Sequence, residues 1–312
     1  MLDSASKAFF YLIAQSQTLK KLASRYGMRR PASFARRFIA GENAAEAIAA
    51  ARAVEARGMA VTLDLLGESV TNLAKADAAT RDYIAVIDAM ITSGVGRNIS
   101  LKLTQLGLDV DKASTIDNLR KILERAEPAG FFVRIDMENS PYTAVTLEIF
   151  ETLWRHDHRQ AGVVLQSALY RSEEDLRRIN ALGGRIRLVK GAYKEPKAVA
   201  YQKKDDVDAA YARMLRELIT AGHDPAIATH DPVMIELART VAREHQIAPD
   251  RFEFQMLYGV RRDLQAMLVK AGYRVRVYIP FGREWFPYFM RRLGERPANV
   301  AFVIRGILGE SG

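Results

Sequence analysis

Charged and hydrogen-bonding residues stand where short apolar runs end: Glu68, Lys102, Asp136, Gln166, Arg187 with Lys190, Thr229 with His230, Gln255 and Tyr278. Side chains of this kind at the ends of buried strands need partners or a ligand, because an unpaired buried charge is costly. Salt bridges across the mouth of a sheet would satisfy them in one way; a bound anion or cofactor would do so in another. A second cluster follows in residues 284–295. Tyr288, Arg291, Arg292 and Glu295 recur at helical spacing, so a helix puts them on one face, with Phe286, Phe289, Met290 and Leu293 on the other. Two adjacent guanidinium forks bind carboxylate or phosphate oxygens bidentately, and with Lys102 opposite they form an anion receptor. A solvated helix face that is merely basic is the plainer alternative.

Other chemistries are excluded or disfavoured. The 312 residues include no cysteine, so disulfides, thiolate nucleophiles, iron–sulfur clusters and cysteine-bound zinc are ruled out. Of five histidines, only His156 and His158 have ligand-like spacing, and they fall between a helix and a strand on the amino-terminal side. No metal is expected. The net charge of +9 is uneven: residues 1–40 carry eight basic residues against Asp3 alone. A rim of that kind attracts anionic lipid, nucleic acid or small anions. No stretch approaches the ~18 apolar residues of a membrane span, and the short run Phe9–Ile13 lacks the flanks of a signal peptide. These features predict a cytoplasmic protein. The basic, partly apolar residues 7–37 offer peripheral contact with the inner face of the membrane.

The elements that must position these residues are legible as an alternation. Eight short runs rich in β-formers begin at Ala60, Asn98, Phe131, Gly162, Arg185, Ala226, Phe252 and Arg274. Between them lie helical patterns over residues 114–126, 144–155, 172–182, 207–221 and 232–245. Ser172 followed by acids, and Asp231-Pro232, are start signals. Eight strands alternating with helices predict an α/β fold, a (β/α)8 TIM-type barrel over residues 46–312, with residues 1–45 as an N-terminal helical arm broken near Pro31. An open doubly wound sheet is the competitor, but no G-x-G-x-x-G occurs in the chain. Such a barrel ordinarily fills its interior with Val, Ile and Leu and carries its chemistry on the carboxyl ends of its strands.

Read in order, those strand ends resemble the proline dehydrogenase family. The words are Leu65-Leu66-Gly67-Glu68, Ser100-Leu-Lys102-Leu, Arg134-Ile-Asp136-Met137-Glu138 and Val164-Leu-Gln166. They continue with Arg187-Leu-Val189-Lys190-Gly191-Ala192-Tyr193, Ala228-Thr229-His230-Asp231 and Phe254-Gln255-Met-Leu257-Tyr-Gly259. Val277-Tyr278-Ile-Pro280-Phe-Gly282 and Tyr288-x-x-Arg291-Arg292-Leu-x-Glu295 close the set.

The resemblance implies a distorted barrel that binds FAD non-covalently and oxidises L-proline to 1-pyrroline-5-carboxylate, the first step of proline degradation to glutamate. It implies electron transfer to a membrane quinone and no nucleic-acid partner, and the chain length suggests the monofunctional bacterial form. Position by position, it implies Arg291, Arg292 and Lys102 as a clamp on the proline carboxylate. It places Asp136 and Arg187 at the reaction centre, with Arg187 toward the flavin ring. Met137, Gln166, Val189, Lys190, Gly191, Ala192, Thr229, His230 and Glu295 fall in the flavin-contacting set, and Lys204 is a candidate for the dinucleotide phosphates. Tyr193, Leu257, Tyr278 and Tyr288 would wall the pyrrolidine ring. Two positions depart from the bifunctional relatives: Lys194 stands where they tend to have tryptophan, and Asp231 where they carry asparagine. Competing readings are a Schiff-base aldolase using Lys190 or Lys102, and a basic nucleic-acid- or lipid-binding module.

Overall fold

A computed structural model describes residues 34–294; residues 1–33, with Pro31, and Glu295 lie outside the described residues. Eight parallel strands close into a barrel in sequence order: β1 (Ala60–Leu65), β2 (Asn98–Leu101), β3 (Phe132–Ile135), β4 (Ala161–Gln166), β5 (Arg185–Val189), β6 (Ala226–Ala228), β7 (Glu253–Leu257) and β8 (Arg274–Phe281). Closure runs from Ala60 beside Arg276 to Leu65 beside Phe281. Among the described residues the α-helices are α1 (Ala44–Glu55), α2 (Leu73–Ser93), α3 (Lys112–Ala126), α4 (Ser140–Arg155), α5 (Ser172–Ala181), α6 (Lys204–Ala221), α7 (Pro232–Glu244), α8 (Arg262–Lys270) and α9 (Trp285–Gly294).

Local start signals act in two ways. Asp231 caps α7 as expected, its carboxylate accepting from the Val233 N–H with Pro232 in the first turn. Ser172 does not cap α5. It is the first residue of that helix, and its hydroxyl donates to the Gln166 carbonyl at 2.6 Å, tying the turn back to β4.

The barrel interior departs from expectation. Strand side chains alternate between faces. One set, including Leu63, Ile99, Val133, Val163, Ile186, Ile227, Phe254 and Val277, lies in the apolar core under the helices. The other set faces the axis and is polar: Thr62, Asp64, Ser100, Arg134, Arg187, Glu253, Gln255 and Arg276. Its bonds cross the barrel, as where Arg187 on β5 donates to Ser100 on β2 at 3.1 Å. Gly162 makes room for this polar filling, since a Cβ there would sit 2.7 Å from an Arg134 nitrogen. Arg134 instead donates to the carbonyls of Val163 and Arg185.

A smaller apolar cluster lies beside the mouth. Phe38 and Ile39 pack with Trp285, Phe286 and Phe289 of α9. The segment bearing them is fastened to the end of β8 by Ala40 N–H to Pro280 O and Gly282 N–H to Gly41 O, both 2.9 Å. This cluster seats the helix that carries Arg291 and Arg292.

Candidate active site

The carboxyl ends of the strands surround a hollow of about 380 Å³. Its acid–base wall is Lys102, Asp136, Arg187 and Tyr278; α9 contributes Tyr288, Arg291 and Arg292. Met137, Gln166, Val189, Lys190, Gly191 and Ala192 line another side. Thr229, His230, Leu257 and Tyr193 complete the predicted residues that meet there, and Gln255 joins them. Lys204 does not line it: its side chain is 75% exposed and pairs with Asp208 on the next turn of α6. The singled-out residues therefore meet in one hollow, apart from Glu68, which instead pairs with Arg291, and Lys204; Glu295 lies outside the described residues.

The charges are organised around Asp136. One carboxylate oxygen accepts from Arg187 at 2.8 Å; the other accepts from the Tyr278 hydroxyl at 2.8 Å and lies 3.5 Å from the Lys102 ammonium. Lys102 also reaches Asp64, at 3.3 Å. Arg187 is held at three points: Asp136, Ser100 and the Gln255 amide oxygen. Its guanidinium also lies over the Tyr278 ring, 5.4 Å from the centroid. On the opposite rim Arg291 presents two nitrogens to Glu68 at 2.9 and 3.2 Å, and Arg292 lies over the Tyr288 ring. Salt bridging among strand ends is thus real, and it leaves a hollow lined with cations.

Burial shapes the protonation states. Desolvation alone would depress the Lys102 ammonium, but the Asp64 and Asp136 carboxylates outweigh it and hold its pKa well above the usual lysine value. A Schiff-base nucleophile needs the opposite shift. Lys190 is ion-paired with Asp208 at 2.5 Å and Asp231 at 2.7 Å, so its nitrogen is occupied by two carboxylates. Neither lysine has the environment an aldolase requires. Burial pushes the Tyr193 phenol up to about 12 and the Glu138 carboxyl upward, the latter against two bonds from Thr104.

Glu253 lies inside the barrel below the hollow. Burial would raise it, but Arg276 at 2.8 Å, with Gln255 and Arg274, brings it down from 4.5 to about 2. A folded-state pKa below the unfolded one gives stability that is present above the unfolded value and lost as pH falls through the folded one. The stability gap between the wild type and Glu253→Gln is expected to be about 3 kcal/mol at neutral pH. It should narrow between pH ~4.5 and ~2 in urea unfolding curves, and a gap independent of pH would refute this assignment.

Some functional neighbours escaped sequence reading. Asp64 sits inside the β1 word Ala60–Leu65, where alternation alone marks it as axis-facing; Ser100, Glu138 and Glu253 stand beside residues that were singled out. Among the described residues no cluster of histidine and carboxylate could hold a metal, and His158 pairs instead with Glu127 at 3.0 Å. No described helix is long and apolar enough to cross a membrane.

The chain is similar to known proteins over nearly its whole length. The profile of the family described as proline dehydrogenase matches residues 47–305. "Proline dehydrogenase 2" of Bacillus subtilis is 42% identical over 302 residues, 97% of this chain and 98% of its own length. "Proline dehydrogenase" of Deinococcus radiodurans is 41% identical over 99% of both chains. Among solved structures, proline utilization A from Bdellovibrio bacteriovorus, inactivated by N-propargylglycine, superposes with a TM-score of 0.79 at 26% identity. That match covers 89% of this chain and 34% of that one.

Proposed function

The chain belongs to the proline dehydrogenase family, and from that membership we propose that it oxidises L-proline to 1-pyrroline-5-carboxylate using FAD held at the barrel mouth. The observation that carries the finer reading is one hollow that brings Lys102, Arg291 and Arg292 together with the Asp136–Arg187 pair.

The residues present suit an extended flavin nucleotide. The first hollow meets a second of about 510 Å³, the two sharing His230, Leu257 and Arg292. Gly191 lies at the edge of the first with φ +119°, and a Cβ there would come within 3.3 Å of Ala168 and Gln166, so the backbone itself forms the wall. Gln166, Val189, Lys190, Gly191, Ala192, Thr229 and His230 would hold the cofactor, with Met137 beside them. His230 accepts a hydrogen bond from the Leu257 N–H at Nε2, which places its remaining proton on Nδ1. Lys204 lines neither hollow, so it is not placed in the cofactor-holding set. Gly191→Ala is expected to cost about 1–3 kcal/mol through forced left-handed backbone. It should lower the FAD content of the purified protein, read from the ratio of visible to protein absorbance; full occupancy would count against the Gly191 wall.

FAD, when bound, supplies the two-electron acceptor. The chain's own residues supply position. Lys102, Arg291 and Arg292 grip the substrate carboxylate, which leaves the far side of the ring to present the carbon beside the nitrogen. Orientation of this kind contributes ~7–11 kcal/mol in well-ordered reactions. Tyr193, Leu257, Tyr278 and Tyr288 enclose the ring and exclude water, favouring the amine without its extra proton. Arg187 places a fixed cation at the reaction centre, held there by Asp136, Ser100 and Gln255. A quinone would be the final electron acceptor, and the product would enter the route from proline to glutamate.

The purified protein should be yellow. Its visible band should bleach with L-proline in the absence of air and return on adding a soluble quinone. A colourless protein trapped covalently by borohydride would establish the aldolase instead.

A further inference from the structure

Glu253 does not line the hollow, yet an amide connects its carboxylate to a guanidinium that does. Arg187 offers Nε to the Gln255 amide oxygen. The Gln255 amide nitrogen donates in turn to Glu253, whose carboxylate accepts from Arg276 Nε at 2.8 and 3.1 Å and from Arg274 at 3.4 Å. Arg276 is itself fastened to the Val61 carbonyl at 2.8 Å. The groups form a chain across three strands: Arg276 on β8, Glu253 and Gln255 on β7, and Arg187 on β5.

Direction is the point. An amide has one donating and one accepting end, and a carboxylate only accepts. With Glu253 behind it, Gln255 must turn its nitrogen inward and its oxygen toward Arg187. The reverse orientation would set an N–H against the Arg187 N–H and an oxygen against a carboxylate. We propose that Glu253 is a positioning residue: by fixing the orientation of the Gln255 amide it holds the Arg187 guanidinium on Asp136 and Ser100, in register with the reacting centre.

This inference rests on the functional reading above for its kinetic consequence, though not for its structural one. Gln255 and Arg276 share one Glu253 oxygen while Arg276 and Arg274 meet the other, so in Glu253→Gln the amide nitrogen must face donors on one side; turned away from the two arginines it faces Gln255 and inverts that amide against Arg187. A crystal structure of Glu253→Gln is expected to show Arg187 withdrawn from Asp136 or Ser100; both contacts intact below 3.2 Å would overturn the proposal whether or not a flavin is bound. Turnover per bound flavin should fall about 30-fold with KM for proline changed less than threefold, because the carboxylate clamp is untouched.

A role in folding alone would lower the yield or melting temperature and leave turnover per bound flavin at the wild-type level. The exchange Glu253→Gln with Gln255→Glu keeps the net charge and restores an acceptor facing Arg187, so it should recover at least tenfold of the loss. If the single variant fails to fold, the exchange still decides: folded, flavin-loaded and slow, it sinks the proposal. Gln255→Met, which leaves Glu253 and its arginines balanced, must show the same selective loss of turnover, and wild-type turnover there would also overturn it. A wild-type protein without a proline-bleachable flavin would instead overturn the functional reading.

Discussion

Arg291→Met is expected to raise the KM for proline about 100-fold while kcat and FAD content stay near wild type. The fork of Arg291 faces the hollow from α9, and a bidentate pair with a carboxylate is among the stronger contacts a protein offers. Hydrogen bonds to charged groups contribute about 1.5–3 kcal/mol each, and every 1.4 kcal/mol is a factor of ten. The net effect is smaller than two full bonds because the fork is not idle in the free protein. Glu68 holds it at 2.9 and 3.2 Å, so the substrate carboxylate gains only the difference between the two partners. A double-mutant cycle tests that competition: Glu68→Gln should change KM in the wild type and leave it unchanged in the Arg291→Met background. Steady-state kinetics with L-proline decide the matter, and a KM within threefold of wild type in Arg291→Met removes the clamp. Arg292→Met differs in kind. Arg292 lines both hollows and lies over the Tyr288 ring, so its loss should weaken flavin retention as well as proline binding.

How far the site could be read beforehand follows from which residues carry local signals. The eight strands were visible because parallel strands buried on both faces are short, β-branched and separated by amphipathic helices. Asp136, Arg187 and Tyr278 stood out because charges and phenols are rare at such positions. Asp64 and Glu253 did not, because alternation puts each on one face of its strand with Thr62 or Gln255 but does not by itself single out a functional partner; Asp64 meets Lys102, and Glu253 meets Arg276, only across neighbouring strands. The polar interior could not be foreseen for the same reason. Arg134 on β3 is intelligible only beside Gly162 on β4, and that pairing is a matter of register across chain neighbours far apart in sequence. The pairing of Lys190 and Lys204 with Asp208 likewise depends on how α6 docks against the mouth, which helical periodicity does not specify. Types and order of residues were local properties; their partners were global ones.

Arg187→Met should be the most damaging single change. The substitution removes a cation that makes three hydrogen bonds in a site where its side chain is 6% exposed. Asp136 keeps Tyr278 and a 3.5 Å approach from Lys102, while Ser100 and Gln255 lose the donor they share. Breaking one side of a buried ion pair costs about 3–5 kcal/mol, so thermal or urea unfolding should reveal a loss of that size. The functional loss is separable from it. Once turnover is expressed per bound flavin, destabilised molecules drop out, and the remaining defect should be about 10³-fold in kcat. If FAD binds as proposed, with Arg187 toward its ring, loss of this positive charge should also lower the flavin's midpoint potential, because the reduced, more negative form is stabilised less. Arg187→Lys keeps the charge but not the planar fork, so it should restore most of the potential and little of the rate. Those two readouts assign Arg187 separate electrostatic and geometric roles. Wild-type kcat per flavin in Arg187→Met would leave it with neither.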